Sequence, residues 1–318
     1  MSRPVKLHFS QRNGTYASRI SRDLRVLVLH GFLAHGIALN TFSNLLLQRL
    51  QQRAHHPPPG GQPAAAVKAL SVCTVDARNH GLSPHTPTHT IHDLVADLAA
   101  LLDATQGGAS PAVLAVGHSM GAGTWTHLLA TQAARRAAVV GLVALDMPPI
   151  PASQMSPVLL HSLRHTIDRM DRMRLDALTD MKSVEVECVR CGIFDRRMIG
   201  LCTTNIHLPR RGGGGGTPAT WKCNLPVLAQ SLAGGELFLP ESYAAAAPQL
   251  EVPVLSVLGG KSPIGGDRRY HNRFPPFVRR PLRVEEVVVP HATHTVYFDK
   301  PDATVDAVVH FLEALEII

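Results

Sequence analysis

Short unbroken apolar runs alternate along the chain with stretches whose apolar residues recur at helical spacing. LRVLVLHG (24–31) ends in a glycine and has the pattern of a strand buried on both faces. FSNLLLQRLQQR (42–53) follows at helical spacing, HHPPPGGQP (55–63) reads as a loop, and VKALSVCTVDARNHG (67–81) supplies a second strand ending near Asp76. In IHDLVADLAALLDATQ (91–106), Ile91, Leu94, Val95, Leu98, Leu101 and Leu102 share one helix face. PAVLAVG (111–117) is a third strand, MGAGTWTHLLATQAARR (120–136) a further helix, and AVVGLVALD (138–146) a fourth strand. This alternation predicts an α/β fold, a mostly parallel sheet covered by helices.

The rhythm breaks at MPPIPASQMSP (147–157). From Met147 to Glu251 the pattern is helical and irregular by turns, and it includes the low-complexity run RRGGGGG (210–216), read as a flexible surface loop. Strands return at PVLSVLGG (253–260) and LRVEEVVV (282–289), and ATVDAVVHFLEAL (303–315) makes a last helix. The expected organisation is a core of residues 1–146 and 252–318, with 147–251 inserted as a helical cap. At the start of the chain two readings stay open. Arginines and serines with no acid before Asp23 suit a mitochondrial transit peptide, whereas VKLHF (5–9) suits a first strand.

Composition narrows the class. The 318 residues are 45% hydrophobic and 17% charged, and no stretch reaches the roughly 18 uninterrupted apolar residues of a membrane-spanning helix, so a soluble globular protein is expected. Five cysteines without a secretory leader argue against a disulfide framework and for an intracellular compartment, cytoplasmic or mitochondrial. The net charge of +7 is spread along the chain without a stripe of interleaved aromatic and basic residues, so no nucleic-acid partner is expected. Oligomeric state is not legible.

Candidate chemistry centres on VLAVGHSMGAG (113–123), where Ser119 lies between two glycines at a strand-to-helix junction. Gly-x-Ser-x-Gly alone occurs by chance in about one chain in ten of this length. The junction is the informative part. Gly117 and Gly121 let strand and helix approach closely, and the tight turn lifts the serine hydroxyl above the sheet. The same turn puts the Met120 N–H at a helix N-terminus, where a developing oxyanion is favoured. Phe32, after the first strand, is the candidate second donor, with His30 and Gly31 shaping its loop.

These segments, VLHGFLAHG, VDARNHGLSPH, VGHSMGAG and PHATHTVYFDKP, come in an order and spacing that resembles the α/β-hydrolase fold family. DARNHGLSPH with LGGKSP is similar to the small serine esterases of bacteria and mitochondria, the abhydrolase-domain protein eleven group. The resemblance implies acyl hydrolysis of an ester or thioester without a cofactor or metal, a helical cap over the site, and a loop around Asp76 that shapes its floor. His294, after the last strand, matches the histidine of the family's GAGH segment and is the expected base. Here that segment reads HATH, so His291 and Thr293 replace small residues and are expected to narrow or reorient the loop; His291 is the alternative base. His118 reads as packing. For the acid, most of the fold family uses the turn after the penultimate strand, but LGGKSPIGGD (258–267) has Lys261 and Ser262 there. Asp146, at the tip of the strand before the insertion, is the expected acid and Asp267 the alternative. Asp93, near a helix start, reads as a surface acid suited to the dipole.

Cys188 and Cys191, as CVRC, have ligand spacing and could form a four-thiolate zinc site with Cys202 and Cys223. The second pair lies too far apart to repeat that spacing, so unpaired cap cysteines are expected. The leading expectation is a cofactor-independent serine hydrolase acting on a small-molecule ester or thioester. The alternative is a catalytically impaired binding protein on the same scaffold, suggested by HATH, the missing late acid and the glycine-rich insertion. An epoxide- or halide-displacing relative would need an aspartate where Ser119 stands.

Overall fold

The computed structural model describes residues 3–55, 66–105, 111–209, 218–245 and 249–318. The loop expected at 55–63, beyond His55, and the glycine run at 210–216 lie outside the described residues. In chain order the strands and helices are β1 (Phe9–Ser18), β2 (Leu24–Leu29), α1 (Asn40–His55), β3 (Ala66–Val75), α2 (Ile91–Thr105), β4 (Ala112–His118), α3 (Met120–Thr131), α4 (Ala133–Arg136) and β5 (Val139–Leu145). The segment after β5 contributes α5 (Pro157–Asp171), α6 (Met181–Arg190), α7 (Arg196–Thr204), a short hairpin of β6 (Ile206–His207) and β7 (Thr220–Trp221), α8 (Leu225–Gly234) and α9 (Ser242–Ala245). The chain then closes with β8 (Val254–Gly259), β9 (Val284–Val289), α10 (Val296–Asp299) and α11 (Pro301–Ala314).

Seven strands form one sheet in the order β1-β3-β2-β4-β5-β8-β9. All neighbours are parallel except β1, which pairs antiparallel with β3 from Phe9↔Val75 to Ser18↔Ala66. Residues 9–18 are thus an edge strand, displaced from the VKLHF reading. Val5 instead donates its N–H to Asp97, and the His8 N–H reaches the Ser83 hydroxyl.

The unbroken apolar runs form strands because both sheet faces are covered. Leu27 and Leu29 point to the side packed by Leu94 and Leu98 of α2 and Trp125 and Leu128 of α3. Val26 and Val28 point to the side packed by Phe42 and Leu46 of α1 and Phe311 and Leu312 of α11. Each fully buried side chain of this kind stabilises the fold by about 1.5–3 kcal/mol. Parallel pairing also puts the ends of β2, β4, β5, β8 and β9 on one rim, where open α/β sheets collect functional groups.

Asp93 is not a surface acid. It is 2% exposed, and its carboxylate faces the fully buried Arg78 guanidinium at 3.5 Å, while Arg78 also forks onto Asp97 at 2.6 and 2.7 Å. Burial of a guanidinium demands such partners. Among the described residues, no helix is long and apolar enough to cross a membrane.

Candidate active site

Ser119 stands between β4 and α3 with φ 50° and ψ −115°, a conformation sparsely populated by residues other than glycine. The flanking glycines make that turn possible. A Cβ on Gly117 would lie 2.4 Å from the Ala122 nitrogen, and one on Gly121 would lie 2.4 Å from the Leu29 carbonyl oxygen. The turn is held by the Ser119 N–H, which donates to the Leu145 carbonyl at 3.1 Å. Ser119 is 7% exposed, and its hydroxyl faces a ring nitrogen from the opposite side of the rim: His294 Nε2 lies 3.0 Å from Ser119 Oγ.

The other nitrogen of that ring, Nδ1, is 2.7 Å from Oδ2 of the fully buried Asp146. Asp146 follows β5, and its N–H is tied to the Val257 carbonyl of β8 at 2.8 Å. Its Oδ1 accepts the Gly259 N–H at 2.7 Å, and its Oδ2 also accepts the Ser262 hydroxyl. The carboxylate is thus fixed by three donors, and the imidazole by the carboxylate. Residues 119, 146 and 294 form one continuous line of hydrogen bonds.

The alternatives lie elsewhere. Asp267 caps a short helical turn and pairs with Arg269 at 2.6 Å, which with the Arg269 N–H holds its carboxyl below the usual range. His291 is exposed, in the left-handed region at φ 64°. The HATH substitutions do not displace the imidazole. The Thr293 hydroxyl and N–H both donate to Asp299, the latter at 2.7 Å, and Arg197 of α7 donates to the Thr293 hydroxyl oxygen at 3.0 Å.

Two further groups steady the imidazole and were not singled out from the sequence as doing so. His118 Nε2–H donates to the His294 carbonyl at 2.8 Å, and Tyr297 packs edge-on to the His118 ring at 4.9 Å. Burial drives the His118 pKa well below histidine's ordinary value, so the ring is neutral. Ser262 is the other omission. It occupies the turn where the sequence offered no acid, and it donates to Asp146, just after β5.

Asp76 gathers the adjoining loops. Its oxygens accept the Gly36 N–H at 2.6 Å and the Leu82 N–H at 2.9 Å. His30 shapes its own loop, donating from Nδ1 to the Gly31 carbonyl at 2.8 Å and accepting the Ala77 N–H at Nε2 at 3.0 Å.

Beside Ser119 lies a narrow pocket lined by core residues such as Phe32 and Met120 and by Met147, Ile150, Leu159 and Leu239 of the segment between β5 and β8. Apart from Ser119 its walls are almost wholly apolar. The cysteines of that segment do not form a four-ligand cage. Among the described residues no group of three or more histidine, cysteine, aspartate or glutamate side chains is arranged to hold a metal ion, and all five cysteines are free thiols. Cys188 and Cys202 share a hydrogen bond that, with burial, keeps the proton on Cys202.

The comparisons agree with this architecture. A marine microorganism esterase superposes with a TM-score of 0.71 at 20% identity, covering 97% of this chain and all of that one. The chain is 30% identical over 294 residues to the mouse (Mus musculus) sn-1-specific diacylglycerol lipase ABHD11, spanning 90% of this chain and 80% of the relative. It is 26% identical over 250 residues to esterase YbfF of Escherichia coli (strain K12), spanning 76% and 82%. The model of the alpha/beta hydrolase family matches residues 26–307, nearly the whole chain, and the protein belongs to that family.

Proposed function

We propose that the protein is a serine hydrolase that cleaves a carboxylic ester or thioester through an acyl-enzyme intermediate. The observation that carries this reading is the unbroken relay from Ser119 Oγ to His294 Nε2 at 3.0 Å and from His294 Nδ1 to Asp146 Oδ2 at 2.7 Å. A neutral serine is a weak nucleophile, and a base at this distance removes its proton as the oxygen attacks the acyl carbon. The carbonyl π electrons move onto oxygen, where the N–H groups of Phe32 and Met120 receive the charge. The imidazolium then protonates the leaving alkoxide or thiolate, and water repeats the sequence to release the acid. Asp146 orients the ring and stabilises its positive form without taking the proton.

The segment 147–251 acts as a cap in this reading, and its apolar wall receives the acyl portion of a small-molecule substrate. The names of the relatives, esterases and a diacylglycerol lipase, support ester cleavage. Two of the three features that suggested an impaired binding protein have structural accounts: Thr293 is engaged by Asp299 and Arg197, and Ser262 supports an acid placed earlier. The test is labelling by a fluorophosphonate probe, which phosphonylates an activated serine. Wild type is expected to label and to hydrolyse short aryl esters, whereas Ser119→Ala and His294→Ala do neither. Wild-type protein that neither labels nor turns over an acyl panel refutes the proposal.

A further inference from the structure

We propose that His80 and Asn205 are positioning residues for the oxyanion hole, acting from opposite sides on the backbone of Leu33. This inference rests on the serine-hydrolase reading above, in which the Phe32 N–H is one of the two donors. Residues 31–34 form a turn closed by the Ala34 N–H on the Gly31 carbonyl at 3.1 Å. Within it Leu33 has φ 61° while Phe32 is not in the positive-φ region, the pattern of a type II turn. That turn normally has glycine at its third residue. A buried leucine persists there only where the surroundings over-determine the backbone.

Two side chains do so. The Leu33 N–H donates to His80 Nε2 at 3.2 Å, and the Leu33 carbonyl accepts from Asn205 Nδ2 at 2.7 Å. The first bond fixes the orientation of the central peptide, because a flipped peptide would turn the Phe32 carbonyl oxygen toward a nitrogen that can only accept. His80 is held in that role by its Nδ1–H, which donates to the Arg78 carbonyl at 2.9 Å. Burial, and then the neighbouring His30 and His89 rings at 5.0 and 5.2 Å, keep it neutral. Asn205 is fully buried at the end of α7, and its amide also reaches the Leu201 carbonyl at 3.0 Å. Both neighbours are carbonyl oxygens, so the nitrogen of the amide must face them. The oxyanion loop is therefore gripped by the core through His80 and by the cap through Asn205, residues that lie 47 and 172 positions away in sequence.

A structural support for the cap and a positioning role differ in what they change. Misplacing a donor to the transition state lowers kcat, by up to about a hundredfold for a shift near 1 Å, without weakening ground-state binding. The experiment uses the full chain with Asn205→Ala, His80→Ala and His80→Gln, a short aryl ester, and a trifluoromethyl ketone of matching acyl length. Ser119 Oγ adds to the ketone carbon, the carbonyl electrons move to oxygen and the hydroxyl proton passes to His294, so the adduct places an oxyanion in the same cradle.

Asn205→Ala and His80→Ala are each expected to lower kcat by about 10- to 100-fold with KM within about twofold. Inhibition by the ketone should weaken by the same factor as kcat/KM. His80→Gln, whose side-chain oxygen can accept the Leu33 N–H, should recover part of the loss. A raised KM with unchanged kcat in Asn205→Ala, or ketone affinity that stays at the wild-type level while kcat falls, overturns the clamp. Loss of folding in one alanine variant leaves the other decisive. Ser119→Ala run alongside separates the two levels: if it retains wild-type turnover, the serine reading itself fails. If it is inactive while both clamp variants match wild type, only the clamp fails.

Discussion

Ser262 donates its hydroxyl proton to the same Asp146 oxygen that meets His294 Nδ1. The turn after β8 thus lies two hydrogen bonds from His294, although it contributes no carboxylate. Exchanging the two residues moves the carboxylate to that turn while keeping one hydroxyl and one carboxylate in the pair. Asp146→Ser is expected to be nearly inactive. The double variant Asp146→Ser/Ser262→Asp should regain at least about tenfold in kcat/KM, since a carboxylate on His294 Nδ1 restores the tautomer and the charge. Steady-state ester hydrolysis reads the outcome, and a double variant no better than the single refutes the exchange.

The choice between the two candidate acids has a direct check. Asp146→Asn keeps the shape but offers the ring the wrong partner, and a loss of kcat on the order of 10⁴ is expected. Asp267 is committed to Arg269 and to the N–H at the start of its own helical turn. Asp267→Asn is accordingly expected to stay within about twofold of wild type, the usual range for a surface change of this kind. The reverse ranking, measured with the same ester, would reassign the acid.

How much of this was legible in the sequence depended on whether each signal was local. The central parallel strands β4, β5 and β8 were readable because both faces of each are covered, which leaves unbroken apolar runs such as LVAL at the end of β5. Ser119 was readable because the two glycines that its turn requires, Gly117 and Gly121, stand only two residues away on either side, although Gly121 is demanded by the distant Leu29 carbonyl. β1 was misplaced because an edge strand half open to solvent mixes polar and apolar positions, FSQRNGTYAS. Asp93 was misread because its partner, Arg78, lies on another loop and its burial has no local signature. The support given by Ser262 to Asp146, 116 positions away, and by Asn205 to Leu33, 172 away, depends on tertiary contact alone.

Two glycines of the VGHSMGAG segment should respond oppositely to alanine. A Cβ at Gly121 would meet the Leu29 carbonyl oxygen at 2.4 Å, a backbone atom that cannot yield without moving β2. Gly121→Ala is expected to lower stability by about 1–3 kcal/mol or more and to abolish labelling of Ser119. At Gly123 nothing lies within 4 Å of the added carbon, and the residue is helical. Gly123→Ala should therefore raise stability by about 0.4–1 kcal/mol through the unfolded chain. Because Gly123 also lines the cavity, the new methyl should shift preference toward shorter acyl groups. Denaturant unfolding and an acyl-length series test both halves.

The buried histidines around the site make stability depend on pH with a definite sign. Burial lowers the pKa of His30, His80 and His118 below the ordinary 6.5, and lowers that of His89 to about 3. Folded, these rings remain neutral where the same rings in the unfolded chain take up protons. Their contribution is complete above about pH 6.5 and is lost as the pH falls through the window down to the folded values, about 3 for His89. Within the window each ring removes at most about 1.4 kcal/mol per pH unit, so four rings together give a steep loss. The denaturant midpoint is expected to be flat from about pH 7 to 8 and to drop sharply between about pH 6.5 and 5. His80→Gln, whose side chain does not titrate, should flatten that slope by one ring's share. A midpoint that holds steady or rises over the acid interval would mean that these rings carry protons in the folded protein. It would also remove the neutral Nε2 on which the grip on Leu33 depends.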